Sequence, residues 1–391
     1  MARLALKHTA NHVAEKIYLD TGYDVTKPVT FYGLVNERCN VKCRYCEYWR
    51  MPKYKDEMSI DEWQKALLSI KDFVGTFSIS FSGGEPMIKQ GFLDLMQFCH
   101  DNGIQSGVTT NGSALNRKNA AKLAAAQPFN VCVSVDAPNA EVHDYLRGWP
   151  GLFKKLSEGI QNLREERDKL GYDFPIIIKT TVGKKNYKLL PEMVEWVKQM
   201  GASVLNFQPI DRWTPETYDE LWIEEDEHGE LQAVVDQMLA LKRNGEPILN
   251  SELVISLMVP HFKEESAPPE TMPCRVGMRD FFIRTDGSVE VCFFYPSIGN
   301  IKERSARDIW YGPEAQKIRK ETVACDKLCL YTCLSQKTIG DKVKMGLTLL
   351  KNQRRQIVTT IEPLVTAAPA SDPSPAAAPT EPVLEPHDTA V

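Results

Sequence analysis

The stretch Thr30-Phe-Tyr-Gly-Leu-Val35-Asn-Glu-Arg-Cys39-Asn-Val-Lys-Cys43-Arg-Tyr-Cys46 reads as a short apolar strand running straight into a loop with three thiols. In sheets built from repeated βα units, the loops at the carboxyl ends of the strands carry the chemistry. The thiol loop is therefore a candidate site if more βα units follow. Strand-like runs recur at Phe77 to Phe81, Gln105 to Thr110, Asn130 to Val135, Ile176 to Val182 and Ser203 to Gln208, separated by amphipathic stretches. Helices are expected at Ser59 to Phe73, opened by a Ser59-x-x-Glu62 capping box, at Gly91 to Asn102, Asn116 to Ala126, Leu152 to Leu170, and at Leu189 to Met200, closed by Gly201. Six repeats fall short of an eight-stranded barrel, so the pattern alone leaves an open barrel or a doubly wound sheet.

The chain has 391 residues, 43% hydrophobic and 25% charged, an ordinary globular balance that excludes a wholly disordered or fibrous protein. Lys and Arg number 47 against 52 Asp and Glu. A dominant nucleic-acid surface would need a basic excess, and no nucleic-acid partner is expected. No apolar run approaches the roughly 20 residues of a membrane span, and the first residues lack the apolar stretch of a signal peptide. The expected compartment is cytoplasmic. In a reducing compartment, clustered thiols point to metal ligation or catalysis rather than disulfides. Eight of the ten cysteines are clustered, as Cys39, Cys43 and Cys46, and as Cys274, Cys292, Cys325, Cys329 and Cys333. Cys99 and Cys132 stand alone among apolar neighbours and read as small core residues. Structural zinc sites usually close with four protein ligands. Three thiolates suit a cubane iron-sulfur cluster with one iron left open, with zinc the alternative for this loop by itself.

The Cys39-x3-Cys43-x2-Cys46 motif, with Tyr45 before its last cysteine, resembles the radical SAM superfamily. The resemblance implies a partial (β/α)6 TIM-like barrel. It also implies a 4Fe-4S cluster whose open iron is chelated by S-adenosylmethionine (SAM), which is cleaved reductively to methionine and a 5′-deoxyadenosyl radical. Further motifs follow at successive strand ends. Ser82-Gly83-Gly84-Glu85-Pro86 looks like the family's GGE motif, where backbone and Glu85 would receive the methionine ammonium. Thr109-Thr110-Asn111-Gly112, Ser134-Val135-Asp136 and His143-x3-Arg147-Gly148 look like the segments that contact the SAM carboxylate and ribose. By this resemblance Tyr45, Gly83, Gly84, Glu85, Asn111, Ser134 and Arg147 are cofactor candidates. Asp136 and His143 read equally well as structural, and Lys179, Thr181, Asn206 and Gln208 face inward or outward depending on register. No catalytic residue beyond the cofactor sites is identified.

The second thiol group, with Gly287 before Cys292 and Cys325-x3-Cys329-x3-Cys333, resembles the SPASM and twitch extensions of that superfamily. Those carry auxiliary 4Fe-4S clusters. Five cysteines economically hold one, with Cys274, Cys292 and two of the remaining three as ligands. The expected organisation is an N-terminal extension (1–28), a radical SAM core (29–215), a helical linker (216–271), a SPASM/twitch module (272–335) built on a hairpin turning at Asp286-Gly287, a basic amphipathic helix (336–361) and a disordered Pro/Ala-rich tail (362–391). The basic helix, with Lys342, Lys344, Lys351, Arg354 and Arg355, leaves contact with an anionic membrane surface open. The implied activity is hydrogen abstraction from a small molecule, with a radical SAM/SPASM peptide maturase as the alternative. A reducing partner such as flavodoxin or ferredoxin is required. A non-enzymatic iron-sulfur carrier is the competing class, and SAM cleavage by the reduced protein separates the two.

Overall fold

The computed structural model describes residues 2–50, 56–267 and 272–331. Six parallel strands, β1 (Thr30–Leu34), β2 (Ser78–Ser82), β3 (Gln105–Thr110), β4 (Asn130–Ser134), β5 (Ile176–Val182) and β6 (Val204–Pro209), lie side by side in chain order. Each crossover carries helix: α2 (Ile60–Val74), α3 (Phe92–Asp101), α4 (Arg117–Ala125), α5 (Ala140–Arg147) with α6 (Leu152–Lys169), and α7 (Leu190–Gln199). The capping box at Ser59 and Glu62 is formed, and α2 buries Trp63, Ala66, Leu67, Ile70 and Phe73, one helical face. This is the partial (β/α)6 barrel, chosen over the doubly wound sheet by the uninterrupted strand order, with no reversal point.

The barrel interior is layered. Cys132, Ile177, Val204 and Leu249 form a small buried cluster of their own. One step further along the strands, Ser134, Lys179 and Asn206 stand in register. Beyond β6, Leu249 N bonds Leu205 O at 2.8 Å and the Asn250 side chain bonds both backbone groups of Phe207, closing that edge without another strand.

At the opposite edge the expected hairpin extends the barrel sheet. Strand β7 (Asp280–Ile283) pairs parallel with β1, Tyr32 opposite Phe282, and β8 (Ser288–Glu290) and β9 (Gly299–Asn300) follow antiparallel. Residues before β1 include a helix the sequence pattern did not reveal, α1 (Ala2–Thr21). Its Asn11 donates to Met278 O and accepts from Lys27 N, and its buried Glu15 pairs with Arg279. The stretch after α1 is tied in turn to the far end of the chain, with Asp24 on buried Arg319 and Trp310 Nε1 donating to Thr26 O at 2.9 Å. No helix among the described residues is long and apolar enough to cross a membrane.

Candidate active site

Past β1 the chain runs against the β2 exit loop before reaching Cys39. Gly84 N bonds Asn36 O at 2.8 Å and Glu85 N bonds Arg38 O at 2.9 Å. A Cβ on Gly83, which sits at φ +135°, would lie 2.3 Å from Asn36 O, and one on Gly84 would lie 2.2 Å from Arg38 O. These glycines are fixed by contact with the chain's own backbone. The Glu85 carboxylate is wholly buried, accepting from Thr110 Oγ1 at 2.7 Å, Met87 N at 3.0 Å and Asn111 N at 2.7 Å. Burial raises its pKa against those three donors. The side chain thus braces the Thr110-Asn111 turn. Asn111 then reaches the thiol loop, donating to Asn40 Oδ1 at 2.9 Å with Cys39 Sγ 3.9 Å away.

From the other side, α5 closes on the same loop. Arg44 N bonds Leu146 O at 2.9 Å, and a Cβ on Gly148 would meet Lys42 O at 2.4 Å. Asp136 is completely buried and accepts from Arg147 Nη2 at 2.8 Å, Tyr45 Oη at 2.5 Å and Thr181 N at 3.0 Å. Burial opposes the Arg147 charge, but Asp136, Tyr45 and Cys43 outweigh it and hold its pKa well above the ordinary value. Its Nη1 lies 3.7 Å from Cys43 Sγ. His143 accepts from Asp136 N at 3.1 Å, and burial lowers its pKa to about 4, so it is a neutral support.

Burial pushes the Cys39 thiol up to about 11 and Cys46 up to about 12, and raises Cys43 as well. Arg147 acts on all three in the opposite sense. Thiols so placed become thiolates only against a cationic centre. Among the described residues no three His, Cys, Asp or Glu side chains converge as a single ion requires. Zinc ligands all approach one centre at about 2.3 Å, whereas cubane ligands each meet a different iron and stand wider apart. The three-thiol loop fits the cubane.

The second thiol group assembles Cys274, Cys292, Cys325 and Cys329, with each thiol electrostatically coupled to the other three. Burial raises Cys274 to about 11 and Cys292 and Cys329 to about 12. Tyr295 bonds Cys325. Four thiols complete the donor set of a cubane. Cys333, the basic helix and the Pro/Ala-rich tail lie outside the described residues.

A cavity of about 570 Å³ is lined by Tyr45, Cys46, Ser134 and Arg147 from around the first thiol group and by Phe293 and Phe294, which follow Cys292 in the chain, together with Tyr331. Lys179, Thr181, Asn206 and Gln208 all line it. Alternation predicts that residues two apart share a face, but which face was not readable until the strands were paired. Gly83, Gly84, Glu85 and Asn111 lie outside its lining, while Tyr32, Trp213, Phe282, Arg284 and Glu290, none of them singled out from sequence, lie within it.

Residues 34–197 match the model of the radical SAM superfamily, and residues 274–334 match that of an iron-sulfur cluster-binding domain, SPASM. The chain belongs to the radical SAM superfamily, in its SPASM-bearing branch. It is an enzyme of that class, using SAM and a 4Fe-4S cluster in the core and binding auxiliary iron-sulfur in the SPASM domain. The chain is 27% identical to the AdoMet-dependent heme synthase of Methanosarcina barkeri over 72% of its own length and 82% of that protein's. It is 23% identical to the PqqA peptide cyclase of Rhodopseudomonas palustris, over 72% and 73% of the two chains. The fold is also that of Streptococcus suis SuiB bound to S-adenosylmethionine, with TM-score 0.59, 18% identity, and coverage of 75% and 68%.

Proposed function

We propose that the chain oxidises a small molecule held in the 570 Å³ cavity, between a SAM-binding cluster on Cys39, Cys43 and Cys46 and one auxiliary cluster on Cys274, Cys292, Cys325 and Cys329. The observation that carries this reading is the cavity's position, walled by one thiol loop and by the aromatic residues beside the other thiol group. When bound, the cluster and SAM supply a one-electron cleavage that yields a hydrogen-abstracting radical, with the electron coming from a flavodoxin or ferredoxin.

The protein's own residues hold that chemistry in place. The Gly83-Gly84 backbone, drawn against Asn36 and Arg38, presents the loop that receives the methionine ammonium. Ser134 and Arg147 take the carboxylate, and Asp136 fixes that guanidinium in position. Tyr45 is held over the site by Asp136. Phe293, Phe294 and Tyr331 give the cavity its aromatic lining next to the second thiol group.

A cavity within the usual range of about 300–1,000 Å³ for one small ligand has here to admit SAM together with the reacting group. That favours a small molecule. A peptide maturase, inserting one side chain, is the second reading, favoured by the likeness to the PqqA peptide cyclase. Anaerobic reconstitution tests the proposal: the reduced protein should hold about eight irons, two cubanes of four, and convert SAM to 5′-deoxyadenosine. Iron retained without cleavage would leave only a carrier.

A further inference from the structure

The cavity's walls differ in character. One is aromatic: Trp213 lies 5.5 Å from Phe293 and 5.9 Å from Tyr331 between ring centres, and Phe282 stacks on Tyr32 at 4.5 Å with planes 17° apart. The other is polar, formed by Ser134, Lys179, Thr181, Asn206 and Gln208. Most charges around it are already matched. Arg147 is committed to Asp136, Arg284 lies 3.4 Å from Glu290, and Asp211 serves Tyr331 and Lys327. The Lys179 side chain is half-buried and has no ion pair or hydrogen bond among the described residues. Glu47, beside Cys46, is the other lining charge in that position. An ammonium half-buried in a cavity gains from an anionic partner, and register places it one step beyond the apolar Cys132, Ile177, Val204 and Leu249 cluster.

Resting on the function proposed above, we propose that the substrate is a planar, conjugated carboxylate, its ring lodged against Trp213, Phe293 and Tyr331 and its carboxylate on Lys179. Aromatic walls favour flat π-systems over saturated rings of equal bulk. A lysine, as a point charge, takes a carboxylate without demanding the bidentate geometry an arginine would.

Calorimetry on the anaerobically reconstituted protein, with SAM present, tests this with three probes: indole-3-acetate, indole-3-acetamide and cyclohexaneacetate. Indole-3-acetate should bind most tightly. Lys179→Met should weaken it about tenfold or more, Lys179→Arg should keep most of the affinity, and Trp213→Leu should weaken it about two- to tenfold. Equal binding of the acid and its amide, equal binding of the aromatic and saturated acids, or no binding of the acid would overturn the proposal. So would a Lys179→Met protein that loses SAM affinity while keeping the acid, since the ammonium would then belong to the cofactor. Failure of the underlying function shows separately, as wild-type protein that holds iron but cleaves no SAM.

Discussion

The two thiol groups are built on opposite plans. Cys39, Cys43 and Cys46 sit in a loop clamped from two sides, by the β2 exit loop and by α5, with the Arg147 cation acting on all three. Cys274, Cys292 and the Cys325–Cys329 segment come from three separate stretches of the chain, backed by Tyr295 and flanked by Phe293 and Phe294. Three thiols with polar neighbours leave a coordination place and the groups to fill it. Four thiols among aromatics close on themselves. The difference teaches that the number of thiols matters less than what stands beside them: a guanidinium braced by a buried aspartate suits a ligand that arrives and leaves, and an aromatic surround suits a centre that only exchanges electrons.

The largest effect expected is from replacing Cys39, Cys43 and Cys46 together by Ala. Iron should fall by about four per chain, and chromatography should find no 5′-deoxyadenosine; cleavage surviving in that protein would erase the distinction between the two groups. Next comes Arg147→Met, which strands Asp136 uncompensated in the interior. Denaturant unfolding should show a loss of about 3–5 kcal/mol, accompanied by weakened SAM binding, while Asp136→Asn in the same background should restore part of the stability. No recovery in the double variant would mean that the pair is not the unit described.

A smaller change follows from Glu85→Ala. Because the carboxylate serves Thr110 and Asn111, its removal should cost at least about 1.5–3 kcal/mol of stability and loosen Asn111 from the thiol loop. SAM affinity collapsing at unchanged stability would return Glu85 to direct contact with the ammonium. The smallest effect is on pH dependence. His143 is neutral when folded, with its pKa lowered from 6.5 to about 4, so the unfolded chain binds the extra proton between those values. Its contribution is therefore present above about pH 6.5 and is lost as pH falls towards 4. Stability measured across that window should rise less steeply with pH in His143→Gln than in the wild type; equal slopes would remove His143 from the account.

Local signals in the sequence carried the barrel. Strand runs, the Ser59–Glu62 capping box and the order of the loops are set by residues close together in the chain, and the structure places them within a residue or two of expectation. The pairing of β7 with β1 was not legible, because it joins residues some 250 positions apart and nothing in Asp280–Ile283 distinguishes a barrel edge from a free hairpin. The same limit hid the inward facing of Lys179 and Thr181 and the meeting of Trp213 with Phe293 and Tyr331. Helix α1 escaped notice because its apolar residues keep no clear face; Leu6 and Val13 are exposed. The partners of Glu85 were hidden for a related reason. The motif fixes its position in the loop, while its partners Thr110 and Asn111 arrive from another strand.

The central claim is that the two thiol groups hold separate clusters with separate duties, and Cys292→Ala measures it most directly. Iron per chain should drop from about eight to about four, and dithionite-reduced protein should still form 5′-deoxyadenosine from SAM, uncoupled from any substrate. Loss of all cleavage in a folded protein that keeps its first cluster would contradict the claim and make the second site the entry point for electrons.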